Sequence, residues 1–355
     1  MSDDKLIEAR RQIEICNACR YCEGFCAVFP AMTRQRTFAL ADMTQLANLC
    51  HNCQGCYHGC QYTEPHEFRI NLPAALADVR AQSWERLASP AFVARAVHRH
   101  GFWTLLILLL SITAALHLSP APEAPKNFYS FFSHTALVSL FAPLFLGALL
   151  VVAISLRRFW REVGGLPVRL GEIAAALRSA AGMRHLTGGQ GQGCQYEDGD
   201  RYSHRRRWAH HAVMYGFLMC FASTSVATLM HYGLNWPAPY AWYTPPKLLG
   251  VPGGILLTLG CVDLMVLKAR ANPALGSVTR WGADWAFIAA LMLTALSGLL
   301  VYLGAASGHL RFLLAFHLGA VATLFVLLPY SKMVHGFYRL AALVREAQIA
   351  AGRRA

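Results

Sequence analysis

The chain has 355 residues, of which 55% are hydrophobic and only 14% charged, and it carries a formal net charge of +13. Soluble domains are usually about 25% charged, so these proportions exclude an ordinary soluble fold for the whole chain and point to a membrane protein. The basic excess follows particular loops, as set out below, and so indicates topology and anionic lipid headgroups; nucleic acid is not indicated.

The N-terminus, MSDDKLIEARRQIEIC, lacks the apolar core of a removable signal peptide. Residues 1–95 hold eight of the eleven cysteines and read as a small head, expected to stay in the cytoplasm, where clustered thiols bind metal more readily than they form disulfides. Two runs stand out, CNACRYCEGFC at 16–26 and CHNCQGCYHGC at 50–60. Both have the spacing C-x2-C-x2-C-x3-C, in which three close cysteines hold one iron–sulfur cluster and the fourth reaches the other cluster. The spacing therefore assigns Cys16, Cys19, Cys22 and Cys60 to one [4Fe–4S] cluster, and Cys50, Cys53, Cys56 and Cys26 to a second. Zinc typically takes two separated pairs of ligands, which fits these ladders less well. The intervening ADMTQLANL reads as helix, predicting an α-helical ferredoxin-like head. His51, His58 and His66 are expected beside the clusters without a role of their own, and Cys194, Cys220 and Cys261 as incidental thiols.

From residue 96 to about 340 the chain alternates apolar runs with polar breaks. About 20 apolar residues cross a bilayer core, and six stretches qualify: roughly 102–118, 134–156, 209–231, 249–267, 283–304 and 311–331. Arginine and lysine gather in the basic loop 157–207, in 268–282 and in the tail 341–355, whereas 119–133, 232–248 and 305–310 hold only Lys126 and Lys247. By the positive-inside rule both termini lie in the cytoplasm, as expected of a multi-pass protein of a bacterial inner membrane. The glycine-rich TGGQGQG at 187–193 lacks the spacing of a dinucleotide fingerprint and reads as a loop.

Ionisable side chains inside spans are functional candidates. The third span carries His210 and His211 at its inner end and His231 at its outer end; the sixth carries His317 toward the outside, followed by His335 inside. From His317 to His335 is 18 residues, five turns of a continuous helix or about 27 Å. This predicts two haem b groups with bis-histidine ligation, one inner haem between His210 or His211 and His335, and one outer haem between His231 and His317. One haem remains the alternative. His117 and His134, with His98 and His100, are held as reserve ligands.

The segments CRYCEGFCAVFPAM at 19–32 and CYHGCQYTEPHEF at 56–68, followed by six spans, resemble the tricarballylate/citrate utilization protein B family (TcuB or CitB), related also to the C-terminal part of CobZ. The resemblance covers nearly the full chain. It implies two [4Fe–4S] clusters, b-type haem, and reoxidation of the reduced FAD of a partner dehydrogenase, TcuA-like, with electrons passing to quinone. The partner would oxidise the organic acid, and this chain would be the redox subunit. The expected fold is mainly α, a cluster-binding head followed by a six-helix cytochrome bundle. A quinol-fed reductase subunit would run electrons the other way. A transporter would want mid-membrane carboxylates, and Asp263 lies near a helix end.

Overall fold

A computed structural model describes residues 3–120, 131–187, 193–195 and 202–353. Most of the outer loop 119–133 and of the stretch 187–193, with Arg201 and Arg354, lies outside these residues. The head is built from helices α1 (Asp3–Cys19), α2 (Val28–Thr33), α3 (Leu40–Leu49), the single turn α4 (Gly55–His58) and α5 (Leu72–Leu87). The expected helix at ADMTQLANL is α3, started by Asp42, whose carboxylate accepts the Ala39 N–H at 2.9 Å.

Long helices follow: α6 (Ala91–His117), α7 (His134–Glu162), α9 (Arg205–Gly233), α10 (Pro245–Arg270), α11 (Trp281–Leu303) and α12 (Leu310–Leu327). With short 3-10 extensions of the last two, these are six helices long and apolar enough to cross a membrane. Small residues set the closest approaches. A Cβ on Gly216 would lie 2.5 Å from the Leu257 nitrogen, and one on Gly260 would lie 2.8 Å from the Val213 nitrogen, so α9 and α10 meet backbone to backbone. Gly101 sits in the same way against Ala283, and Gly319 against Thr113.

Two expectations require correction here. The sixth span does not run on to His335, because Pro329 offers no N–H to the ladder. The helix tightens into a 3-10 turn at Leu328–Tyr330, Ser331 is extended, and a new helix α13 begins at Val334. The five-turn alignment of His317 with His335 is therefore lost. Nor are residues 341–355 a plain basic tail: α13 (Val334–Ala350) returns to the head and buries Tyr338, Ala342, Leu343, Val344 and Gln348.

This return ties head and bundle together. Tyr338 stacks on Trp84 of α5 at 6.1 Å and meets Phe159 of α7 edge-on at 5.3 Å. The Gln45 amide donates to the Ala342 carbonyl at 2.9 Å, and Arg86 forks onto Glu162 with both bonds at 2.6 Å. Between α7 and α9 lie α8 (Leu170–Ala181), packed on α13, and a short antiparallel ladder of β1 (Cys194–Gln195) with β2 (Tyr202–Ser203).

Candidate functional site

The eight head cysteines fall into two groups. Cys16, Cys19, Cys22 and Cys60, with Cys56 at the edge, line a surface cavity of about 180 Å³ together with Tyr21, Phe29, Tyr62 and Ile70. Cys19 is exposed. Cys26, Cys50, Cys53 and Cys56 line a smaller cavity walled by Phe25, Val28, Leu72 and Leu76. Charge effects follow the same division: burial and then Cys60, Cys22 and Cys19 push the Cys16 thiol up to about 12, whereas burial, Cys53 and Cys50 push up Cys26. The fourth cysteine of each run thus sits with the other run's triplet.

Backbone geometry explains the grouping. Arg20 and Gln54, each just after a cysteine of a run, and Asn52, just before Cys53, hold positive φ angles of 57°, 65° and 50°, a conformation non-glycine residues keep only where their surroundings demand it. The amides of Asn52 and Tyr62 donate to the sulfurs of Cys50 and Cys60 at 3.3 Å. The amides of Val28 and Gly55 also act on Cys26 and Cys53, favouring their thiolate forms. Amides two residues ahead of a sulfur fit thiolate ligands of an iron–sulfur cluster, whose potential such bonds tune. Among the described residues no three His, Cys, Asp or Glu side chains converge as they would on one metal ion; a cubane spreads its four thiolates wider than zinc does.

Cys194, read above as incidental, is buried on β1 and hydrogen-bonds Cys53, which holds Cys53 toward the thiolate form. The contact joins the loop between α7 and α9 to the second cysteine group. Cys220 and Cys261 lie in α9 and α10, away from the head.

The histidines gather at two levels of the bundle. His210 and His335 face each other with ring centres 5.8 Å apart, edge to face. The ring Nδ1 of His335 lies 2.5 Å from the Lys332 carbonyl; a carbonyl only accepts, so Nδ1 carries the proton and Nε2 keeps a free lone pair. Two imidazoles on one iron, with bonds of about 2.0–2.1 Å, put their centres about 6.4 Å apart, close to the separation found. His211 turns away instead, its Nε2 3.1 Å from the Ala181 carbonyl at the end of α8. The open choice between His210 and His211 is thus narrowed by position.

At the far level the expected pairing of His231 with His317 is not what the fold brings together. His231 stacks on His134, at the start of α7, with ring centres 4.2 Å apart and planes within 10°. That is shorter than an axial pair needs, so an iron there requires the rings to part by about 2 Å. His317 faces α11: its Nδ1 lies 3.0 Å from Ser297 Oγ and its ring abuts Gly298. The reserve residue His134 shares this level because it opens one span where His231 closes another. His117 rests on Phe312 at 5.8 Å, His98 hydrogen-bonds Glu85 at 2.7 Å, and His100 marks a non-helical kink in α6.

Helix α9 carries both His210 and His231. It packs closely on α10, while its face bearing His210 and His231 meets α7, α12 and α13 only sparsely. Halfway along, Phe145 of α7 bridges to Phe221 of α9 at 6.0 Å and to Phe325 of α12 at 5.2 Å. The inner pair stands near the separation of two imidazoles on one iron.

Comparison with known proteins agrees with this layout. The sequence profile described as "Citrate utilization protein B Fer4-like domain" matches residues 9–85, and that described as "Citrate utilization protein B" matches residues 94–355. The Escherichia coli protein named "Citrate utilization protein B" is 42% identical over 347 residues, 96% of this chain and 91% of that relative. No solved structure gives a significant match. With one family's profiles covering both the cysteine-bearing head and the helical bundle, and a relative this similar along almost its whole length, the chain belongs to the citrate utilization protein B family.

Proposed function

We propose that this protein is a membrane electron-transfer subunit that accepts electrons from the reduced FAD of a separate dehydrogenase and delivers them to quinone. Its setting would be the utilisation of citrate, the role named in its relative, or of tricarballylate, as the resemblance of the cysteine segments implies. When bound, two [4Fe–4S] clusters and b-type haem supply one-electron chemistry; the chain supplies their positions and surroundings.

The single observation behind this reading is succession. The exposed Cys19 group opens to the head surface. The second group lies against it, sharing the edge at Cys56, and His51 in that group is close enough to His210 and His335 for their charges to interact. Cys16, Cys19, Cys22 and Cys60 would hold the cluster nearer the donor, and Cys26, Cys50, Cys53 and Cys56 the one nearer the membrane. His210 and His335 would hold the inner haem, and His134 with His231 an outer one. The arginine-rich loops favour a bacterial inner membrane with head and termini in the cytoplasm.

The test is rapid mixing of the purified, anaerobically handled protein with a reduced flavoprotein dehydrogenase and a quinone analogue. Haem reduction followed by quinone reduction is expected. His134→Ala should remove or convert to high spin the outer haem while His317→Ala leaves it. No haem reduction with the cognate dehydrogenase would reject the function, and a spectrum unchanged by His134→Ala would reject the outer pair.

A further inference from the structure

Arg339 lies one helical turn beyond His335 on α13, on the same face of the helix. Its Nη1 is buried and has no hydrogen-bond partner. Around it stand groups close enough for charges to be felt: the thiols Cys50, Cys26 and Cys53 with His51 of the same cavity, and the imidazoles His185, His210 and His335. Burial, with Arg80 as a neighbour of like sign, costs this guanidinium stability; the opposite charges that act on it come from Cys50, Cys26 and Cys53. A buried cation needs a counter-charge. Arginine stays protonated under all ordinary conditions, so the anion must come to it.

We propose that Arg339, close both to the second cysteine group and to the His210–His335 pair, is a counter-ion of that group's cluster and raises the cluster's reduction potential. The inference rests on the reading of Cys26, Cys50, Cys53 and Cys56 as cluster ligands. Four thiolates around a [4Fe–4S] core leave it net negative, and adding an electron makes it more so. A fixed positive charge beside it favours the reduced state. The first group, at the head surface, has solvent for the same purpose and lacks such a neighbour among the groups that act on Cys16 and Cys22. Arg339 is a positioning residue in this account: it touches no substrate and acts through the field it sets.

The experiment is an EPR redox titration of the full-length protein, with iron and haem quantified, comparing Arg339→Gln and Arg339→Lys with the parent. At an effective dielectric of about 20, a unit charge within roughly 10 Å moves such an equilibrium on the order of tenfold. Arg339→Gln should therefore disfavour reduction of the second cluster about tenfold, a fall of about 59 mV for one electron, with the first cluster unmoved. Arg339→Lys, which keeps the charge, should restore most of the shift and guards against a glutamine variant that fails to fold. An unshifted second cluster in a variant that retains its iron overturns the proposal, as does an equal shift in both clusters. Loss of haem with the cluster potential unchanged overturns it in favour of a haem-carboxylate anchor. A parent protein that binds no iron overturns the reading beneath it as well, and iron analysis separates that failure from the others.

Discussion

Cys60 closes the second cysteine run, yet its sulfur belongs to the pocket of Cys16, Cys19 and Cys22, and Cys26 makes the reciprocal exchange with Cys50 and Cys53. Replacing Cys60 with Ser should accordingly disturb the first cluster and spare the second. Iron analysis with EPR checks it, and loss confined to the second signal would reverse the assignment. This exchange was legible in spacing alone, because a three-residue gap throws the fourth thiol past its own triplet. Cys194 was not: it reaches Cys53 from a position more than a hundred residues away, on a two-residue ladder entered through Gly193, whose φ is 101° and where a Cβ would collide with the Ser203 carbonyl. Nothing local to a lone cysteine in a polar loop announces such a contact. His134 lay between these cases, since its level in the membrane was readable and its facing was not.

Among the elements, the six spans were readable from length and hydropathy, and their bounds extend mainly at the head-side ends, where α6 starts at Ala91 and α7 runs to Glu162. Helix α13 was hidden for a physical reason. Its buried positions Val334, Tyr338, Ala342 and Arg345 recur every three or four residues, the period of one helix face, but His335, Arg339, Glu346 and Gln348 in the same stretch make the segment look like a soluble tail. Tyr338 anchors that face between Trp84 and Phe159, with 2% of its surface exposed. Truncating a buried aromatic to alanine costs about 3–5 kcal/mol. Tyr338→Ala should therefore loosen α13 from α5 and α7, read as faster amide hydrogen exchange in residues 334–350 and in α5 together. Unchanged protection in α5 would show that α13 is not what clasps the head.

At the scale of the whole molecule, the vertical order of sites depends on how the head docks, and no local pattern encodes docking. The order observed places the exposed cysteine group outermost, the buried group with His51 next, with Arg339 beside it, then His210 with His335, the phenylalanines 145, 221 and 325, and lastly His134 with His231. A single line of stations makes a demand that a branched arrangement would not. Blocking any station should leave those on the donor side reducible and isolate those beyond it. With reduced flavoprotein as donor, Cys16→Ser should abolish rapid reduction of everything downstream. Cys50→Ser should leave the first cluster reducible at its normal rate while haem stays oxidised, and His335→Ala should let both clusters reduce and stop electrons there. Freeze-quench EPR for the clusters and stopped-flow absorbance for haem follow each station separately. Because a serine variant can shed more than its own cluster, iron content fixes which station was removed before rates are compared. Haem reduced at the parent rate in an iron-verified Cys50→Ser protein would mean that electrons bypass the buried group. The succession from head surface to far histidines would then be a feature of the fold without being the route of transfer.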